Sequence, residues 1–469
     1  MASPTDTPSL AAPAAPAAPV ANSSSTTTSA HARSLPGAVL LSLDGGGVRG
    51  ISTLLVLKHV MARVAELEQH AKTNMSPDPR KPKDYFDLAG GTSTGGLIAL
   101  MLFRLDMNVD TVIRHYDELA AKVFSPTIGP IEIHRWPLGY YIGNGWLKLK
   151  KVVGLSGFSG NRLEQAIDTV TSTVSSELAS NKGDTPLQGG PGQYGKMLMC
   201  ATVADKGETM LFRSYAVPPD SKPQSETAKS INHASITIKQ ACRATSAAPT
   251  YLPPMDIGGV EYWDGGLLNN NPVDQVWDAR FDLDAAQEQV TRPDGSVEVK
   301  YKDPRVLVML SLGTGICDTK VKRAWYNPMR YIVKLTPEVL TTAGRVLGFS
   351  TNTQAKHWDF KVNTIRRNER LDGDERAKTH YFRLNPEVSK EINLDDYKQM
   401  KILKKDTEDW LEENGIKANP DEPVPPGEKY DIERLARLLA KTKKLVTESK
   451  EGARQDAAGS RSDSAVEVK

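Results

Sequence analysis

Two glycine-rich turns constrain this chain more than any other feature of its sequence. The first is Asp44-Gly45-Gly46-Gly47-Val48-Arg49-Gly50 and the second is Gly91-Thr92-Ser93-Thr94-Gly95. Ahead of the first, Ala38 to Leu43 reads as a buried strand: the run is apolar, enters from Pro36-Gly37 and stops at the glycines. Behind it, Ile51, Leu54, Leu55, Met61, Val64 and Leu67 recur near the helical period. The second unit repeats the pattern, with Tyr85-Phe86-Asp87-Leu88-Ala89 leading into the turn and Gly96 to Phe103 leaving it. Two strand–turn–helix units in succession predict an α/β fold with a mostly parallel central sheet flanked by helices.

Later segments extend the pattern. Lys196 to Thr202, Met210 to Ala216 and Arg305 to Leu312 read as further strands, the last ending in Gly313-Thr314-Gly315, and Ser235 to Ala248 reads as a helix stopped by Pro249. The charged block from Asp282 to Asp303 carries Pro293-Asp294-Gly295 and reads as a surface excursion. Beyond about Asp318 helical stretches take over, including Leu394 to Glu413 and Asp431 to Glu448. The expected organisation is a disordered Ala/Pro/Ser/Thr-rich leader over 1–34 and a catalytic domain over 35–320. A mainly helical C-terminal extension over 321–449 and a disordered tail over 450–469 complete it.

Composition narrows the function classes. With 39% hydrophobic and 25% charged residues among 469, a large core is within reach. A formal net charge of +2 without a basic stripe gives no case for a nucleic-acid partner. Cys200, Cys242 and Cys317 have neither zinc-ligand spacing nor a disulfide pattern and read as reduced thiols. No apolar run approaches the ~20 residues of a spanning helix. Pro13, Pro16 and Pro19 interrupt the leader where a secretory signal would be continuous, so a cytoplasmic protein, peripheral to membranes at most, is expected.

The turns themselves suggest chemistry. A serine on a sharp strand-to-helix bend, flanked by the small Gly91 and Gly95, presents its hydroxyl at the sheet's carboxyl edge. Successive N–H groups of Gly45, Gly46 and Gly47 at a helix N-terminus make a nest that favours an oxyanion, with Arg49 adding a nearby positive charge or, equally, a salt bridge. The same turn also matches Gly-x-Gly-x-x-Gly, the dinucleotide fingerprint. That reading needs an acidic residue at the end of a second strand ~20 positions on, and Glu66 and Glu68 fall inside the first helix instead. A nucleophilic serine needs a base. Of the eight histidines only His357 and His380 follow the serine late enough for the usual hydrolase order, and neither stands at a glycine-rich strand end. Asp264, in Tyr262-Trp263-Asp264-Gly265-Gly266-Leu267 and ahead of Asn269-Asn270-Asn271-Pro272, is better placed to take the serine proton.

These motifs in this order resemble the patatin-like phospholipases: Asp44 to Gly50, then Gly91 to Gly95, then Asp264-Gly265-Gly266. Ala244-Thr245-Ser246-Ala247-Ala248-Pro249 and Ser311-Leu312-Gly313-Thr314-Gly315 are similar to that family as well, and the resemblance covers about residues 38 to 320. It implies a patatin-like three-layer fold and a Ser–Asp dyad without histidine, with Ser93 as nucleophile and Asp264 as general base. It implies an oxyanion hole at Gly45, Gly46 and Gly47, supported by Arg49, Gly91, Gly95, Gly265 and Gly266. It further implies a lipid acyl hydrolase that needs no cofactor and no metal. The expected partner is a glycerolipid at a membrane or lipid-droplet surface. Two other classes stand beside it: a nucleotide-binding oxidoreductase and a peripheral membrane protein without turnover. Trp136, Leu138, Tyr140, Tyr141, Ile142 and Trp146, ahead of Lys148, Lys150 and Lys151, suit a membrane interface, although such residues more often fold over a core.

Overall fold

A computed structural model describes residues 37–73, 81–125, 157–174, 176–190, 194–217, 227, 231–283, 287–291, 297–301, 304–317, 353–367 and 378–442. The leader, the tail and the aromatic–lysine stretch of 136–151 lie outside the described residues.

A mixed eight-stranded sheet organises the chain, in the order β10-β9-β1-β2-β3-β6-β5, with β4 also paired to β3. Its parallel centre is β1 (Ala38–Leu43), β2 (Leu88–Thr92), β3 (Lys196–Val203), β9 (Val306–Leu312) and β10 (His380–Leu384). Antiparallel pairs with β4 (Glu208–Arg213), β5 (Met255–Ile257) and β6 (Val260–Asp264) complete it. β7 (Gln287–Thr291) and β8 (Val297–Tyr301) form a separate antiparallel pair within the segment read as a surface excursion.

Strand residues alternate between two cores, as the pleat requires. Val39, Leu41 and Leu43 join one apolar cluster with Ile51, Leu54 and Leu57 of α1 (Gly50–His70) and Tyr116 of α3 (Val109–Phe124). Leu40, Leu88 and Leu198 join the other, with Val276, Trp277 and Phe360. Covered on both faces, β1 shows a continuous hydrophobic run in its sequence rather than alternation. The result is helices, sheet and helices in three layers.

Two boundaries differ from the sequence reading. β2 begins at Leu88, not Tyr85, and runs on through Gly90 and Gly91 to Thr92, because parallel pairing to β1 and β3 holds both glycines extended. The segment beyond 320 contributes an edge strand, β10, beside β9. Its helical content includes Met400–Asn414 and residues 431–442.

The two turns are locked together by close approach. A Cβ on Gly95, in α2 (Thr94–Ala99), would lie 2.6 Å from the carbonyl oxygen of Asp44 and nearer still to that of Leu43. Gly95→Ala is therefore expected to cost about 3 kcal/mol or more, since backbone rather than a flexible side chain must move. Chemical denaturation measures this, and a wild-type midpoint would refute the packing argument.

Candidate active site

The register of β3 brings the serine turn and Asp264 together. β2 runs parallel to β3 and its pairing ends with Thr92 opposite Cys200. β6 runs antiparallel to β3 and ends with Asp264 opposite Ala201, the next residue. β4 occupies the other edge of β3 across both spans, so β2 and β6 share one edge and meet nose to nose. Ser93, the first residue past β2, and Asp264, the last residue of β6, are the two ends that meet.

Ser93 is held in a conformation few side-chain-bearing residues adopt, with φ 53° and ψ −124°. Strain of this kind costs of order 1–3 kcal/mol and persists only where the surroundings over-determine it. Here the surroundings are identifiable. Ser93 N donates to Thr245 Oγ1 at 2.9 Å, and Thr245 Oγ1 donates to Cys200 O at 2.6 Å. Thr92 Oγ1 donates to Asn269 O at 2.5 Å. A Cβ on Gly91 would overlap the Gly95 backbone, so the elbow closes only with glycine at both positions.

Asp264 is 5% exposed. Its N–H donates to Ala247 O at 3.0 Å, and its carbonyl accepts from Thr202 Oγ1 at 3.0 Å. Its carboxylate accepts from Gly266 N at 2.6 Å, and the Ser93 hydroxyl, the other nearby donor, faces it. Burial pushes its pKa up to about 6, partly countered by those two donors. Gly265 has room only as glycine, since a Cβ there would meet the Cys200 carbonyl.

The glycine turn lies beside Ser93, but its three N–H groups are not equivalent. Gly45 N donates to Asn270 O at 2.9 Å, so that donor is committed within the fold. Gly46 N reaches Thr94 Oγ1 at a long 3.2 Å. Gly47, at φ 55°, opens the short helical turn Gly47–Arg49, where the first N–H has no intrahelical acceptor. Its carbonyl is held by the Tyr116 hydroxyl. Gly46 and Gly47 line a cleft together with Ser93 and Asp264. Arg49 turns its Nε toward Gly46 O at 3.4 Å; burial lowers its pKa, with Glu391 the chief charge opposing that shift.

The cleft is narrow, with a cavity volume of about 70 Å³. Beyond the Ser93–Asp264 pair its walls are mostly apolar, from Leu97, Leu119, Val123, Phe124, Leu163 and Leu252 among others, with Thr94, Ser246 and Asn270 as polar exceptions. No histidine lines it among the described residues. His357 bonds Tyr381 at 2.9 Å and packs against the Tyr381 ring, where burial lowers its pKa to about 4. The sequence reading treated Asn269 and Asn270 as a turn and passed over Thr94 and Thr245. Asn269 and Asn270 tie the serine and glycine turns to the Asp264 segment, Thr94 joins the two turns and Thr245 ties Ser93 to β3. The asparagines are signalled only by the polar cluster after Asp264-Gly265-Gly266, the threonines by no pattern of their own.

The model of the patatin-like phospholipase family matches residues 41–277, just over half of the 469-residue chain. Calcium-independent phospholipase A2-gamma of Mus musculus is 26% identical over 420 residues, covering 88% of this chain and 41% of that protein. Phospholipase A I of Arabidopsis thaliana is 23% identical over 322 residues, covering 62% of this chain and 22% of that one. Patatin-10 of Solanum tuberosum is 24% identical over 453 residues, covering 90% of this chain and 94% of that one. The chain thus spans less than half the length of the calcium-independent phospholipase it matches. With the motifs in that order, the glycine and serine turns joined on one parallel sheet and the family model aligned across them, the chain belongs to the patatin-like phospholipase family.

Proposed function

We propose that this protein is a lipid acyl hydrolase that cleaves fatty acyl esters of glycerolipids through a Ser93–Asp264 dyad and an acyl-serine intermediate. The observation that carries the reading is the nose-to-nose meeting of β2 and β6, which leaves a strained, half-buried serine beside a buried carboxylate. With a pKa near 6, Asp264 is ionised at neutral pH yet basic enough to accept a proton in the transition state. Asp264 takes the Ser93 proton as Oγ attacks the acyl carbonyl. The carbonyl oxygen becomes an oxyanion facing Gly46 and Gly47 N–H; Gly45 stays committed to Asn270, and Gly46 exchanges its long bond to Thr94 Oγ1 for the oxyanion. The intermediate collapses, the alcohol or lysolipid departs with the proton from Asp264, and the acyl group stays on Ser93. Water then attacks the acyl-serine and gives a proton to Asp264. The fatty acid leaves, and the proton returns to Ser93 Oγ. The apolar walls suit an acyl chain and leave the headgroup at the mouth.

The names of the relatives support a phospholipid substrate, and a membrane or lipid-droplet surface is where such a substrate is met. The test is covalent labelling with a fluorophosphonate, followed by product analysis on phospholipid, galactolipid and triglyceride. Labelling at Ser93 with release of free fatty acid is expected. An unlabelled, correctly folded protein that binds nicotinamide dinucleotide would overturn the proposal in favour of the rival reading of the glycine turn.

A further inference from the structure

We propose that Arg383, on β10 and outside the segment matched by the family model, is a positioning residue for the acyl-transfer site. It acts by holding Asp44, the residue that opens the glycine turn. The inference rests on the acyl-hydrolase reading.

The two residues are 339 positions apart. Arg383 Nη1 donates to Asp44 Oδ1 at 2.9 Å and Nη2 donates to Asp44 Oδ2 at 2.6 Å, a two-pronged pairing that fixes direction as well as distance. Nη1 also donates to Ser311 Oγ at 2.8 Å and Nη2 to Thr353 Oγ1 at 3.1 Å. The Asp44 side chain is 0% exposed and that of Arg383 4%. Burial works against the Arg383 charge, but the facing carboxylate outweighs it and raises its pKa.

The sheet register leaves room for this reach. Arg383 stands opposite Ser311 on β9, and Ser311 stands opposite Ser42 on β1. Two small side chains in a row let the guanidinium cross β9 to the end of β1. The same C-terminal segment grips the turn again, since Val48 N donates to Leu394 O at 2.8 Å. Leu394 also lines the cleft.

Two consequences follow for Gly46 and Gly47. The carboxylate that starts their turn is held in one orientation, so their N–H groups keep one aim. Its negative charge, buried near a developing oxyanion, is also neutralised. Without Arg383 an ionised Asp44 would lose its main counter-charge and its hydrogen-bonded partner, keeping only the weaker pull of Arg49, and it would either take a proton or swing toward water. Both responses disturb the donors without touching Ser93 or Asp264.

The experiment compares the full chain with Arg383→Met, Arg383→Lys, Asp44→Asn and the double variant Asp44→Asn/Arg383→Met. It reads kcat and KM on a soluble short-chain p-nitrophenyl ester, the rate of fluorophosphonate labelling, and the denaturation midpoint. Arg383→Met is expected to lower kcat about 10- to 100-fold with KM within about twofold, on the scale of a misaimed oxyanion donor, and labelling should slow in parallel. Arg383→Lys should recover part of the loss, because it keeps the charge but not the fork. Asp44→Asn/Arg383→Met should lose no more than the worse single variant, since both act through one pair. Wild-type kcat in a folded Arg383→Met or Arg383→Lys protein would overturn the inference. So would losses shared equally by kcat and KM that track the denaturation midpoint. Should Arg383→Met fail to fold, Arg383→Lys decides by the same split. A wild-type protein that neither hydrolyses the ester nor takes the label defeats the hydrolase reading and this inference together. A labelled wild type with indifferent Arg383 variants defeats this inference alone.

Discussion

Ser93→Ala should reduce ester turnover by about 10⁴-fold or more and abolish fluorophosphonate labelling, while the protein stays folded. The hydroxyl is the only atom removed, and Ser93's structural ties run through its backbone: N to Thr245 and O to Leu97. A second substitution separates chemistry from strain. Alanine keeps a Cβ at φ 53° and ψ −124°, whereas glycine accepts that conformation freely. Ser93→Gly should therefore be more stable than Ser93→Ala by about 1 kcal/mol, after allowing for glycine's greater freedom in the unfolded chain. Both proteins should be inactive. Ordinary turnover from purified Ser93→Ala would remove the dyad mechanism, and equal stability of the two variants would remove the strain argument.

Asp264→Asn should also abolish turnover, and it should stabilise the protein. The wild-type carboxyl has its pKa pushed up to about 6 by burial, so the folded state favours the protonated form. The sign follows from linkage. Stability associated with the neutral carboxyl is fully present below the unfolded value near 4 and is lost as pH rises through about 6. Above pH 7 the buried negative charge costs on the order of 2–3 kcal/mol. Asparagine carries no charge and can still accept from Gly266 N. The variant should exceed wild type in denaturation free energy by about that amount at pH 7.5, and the gap should close near pH 4. In the proposed mechanism the base works ionised, so wild-type kcat/KM should fall tenfold per pH unit below about pH 6. A flat acid limb would mean that some other group accepts the proton. A stability gap that persists at pH 4 would mean that packing, not charge, distinguishes the two proteins.

Much of this site is legible in the chain because its parts are local. A glycine where Gly91 stands is demanded by the backbone of its own turn, and glycine-rich breaks after apolar runs announce strand ends, whereas the demand at Gly95 comes from the backbone of Leu43 and Asp44. Asp264 ahead of two glycines is visible for the same reason. The fate of Gly45 is not. Its N–H looks identical to its neighbours' in sequence and is consumed by Asn270, a residue 225 positions on that reads only as part of a polar turn. The extent of β2 was hidden too, because glycines weaken a strand signal that parallel neighbours on both sides then supply.

Arg383 is the extreme case. An arginine alternating with Phe382 and Leu384 in a short strand has the pattern of an edge residue facing water. Only the parallel pairing of β10 to β9 turns it inward along Ser311 to Asp44.

The sequence by itself determined an α/β fold, the two turns, the serine and the carboxylate, since each follows from the backbone demands of a few adjacent residues. The tertiary structure alone decided that β2 and β6 end one residue apart on the same edge of β3, that the Gly45 N–H goes to Asn270 while that of Gly46 makes only a long bond to Thr94, and that a distant arginine pairs with Asp44. Those outcomes depend on strand register and on competition for donors between segments hundreds of residues apart. Hydrogen-bond registers of that kind are set by packing of the whole sheet, and no local pattern encodes them.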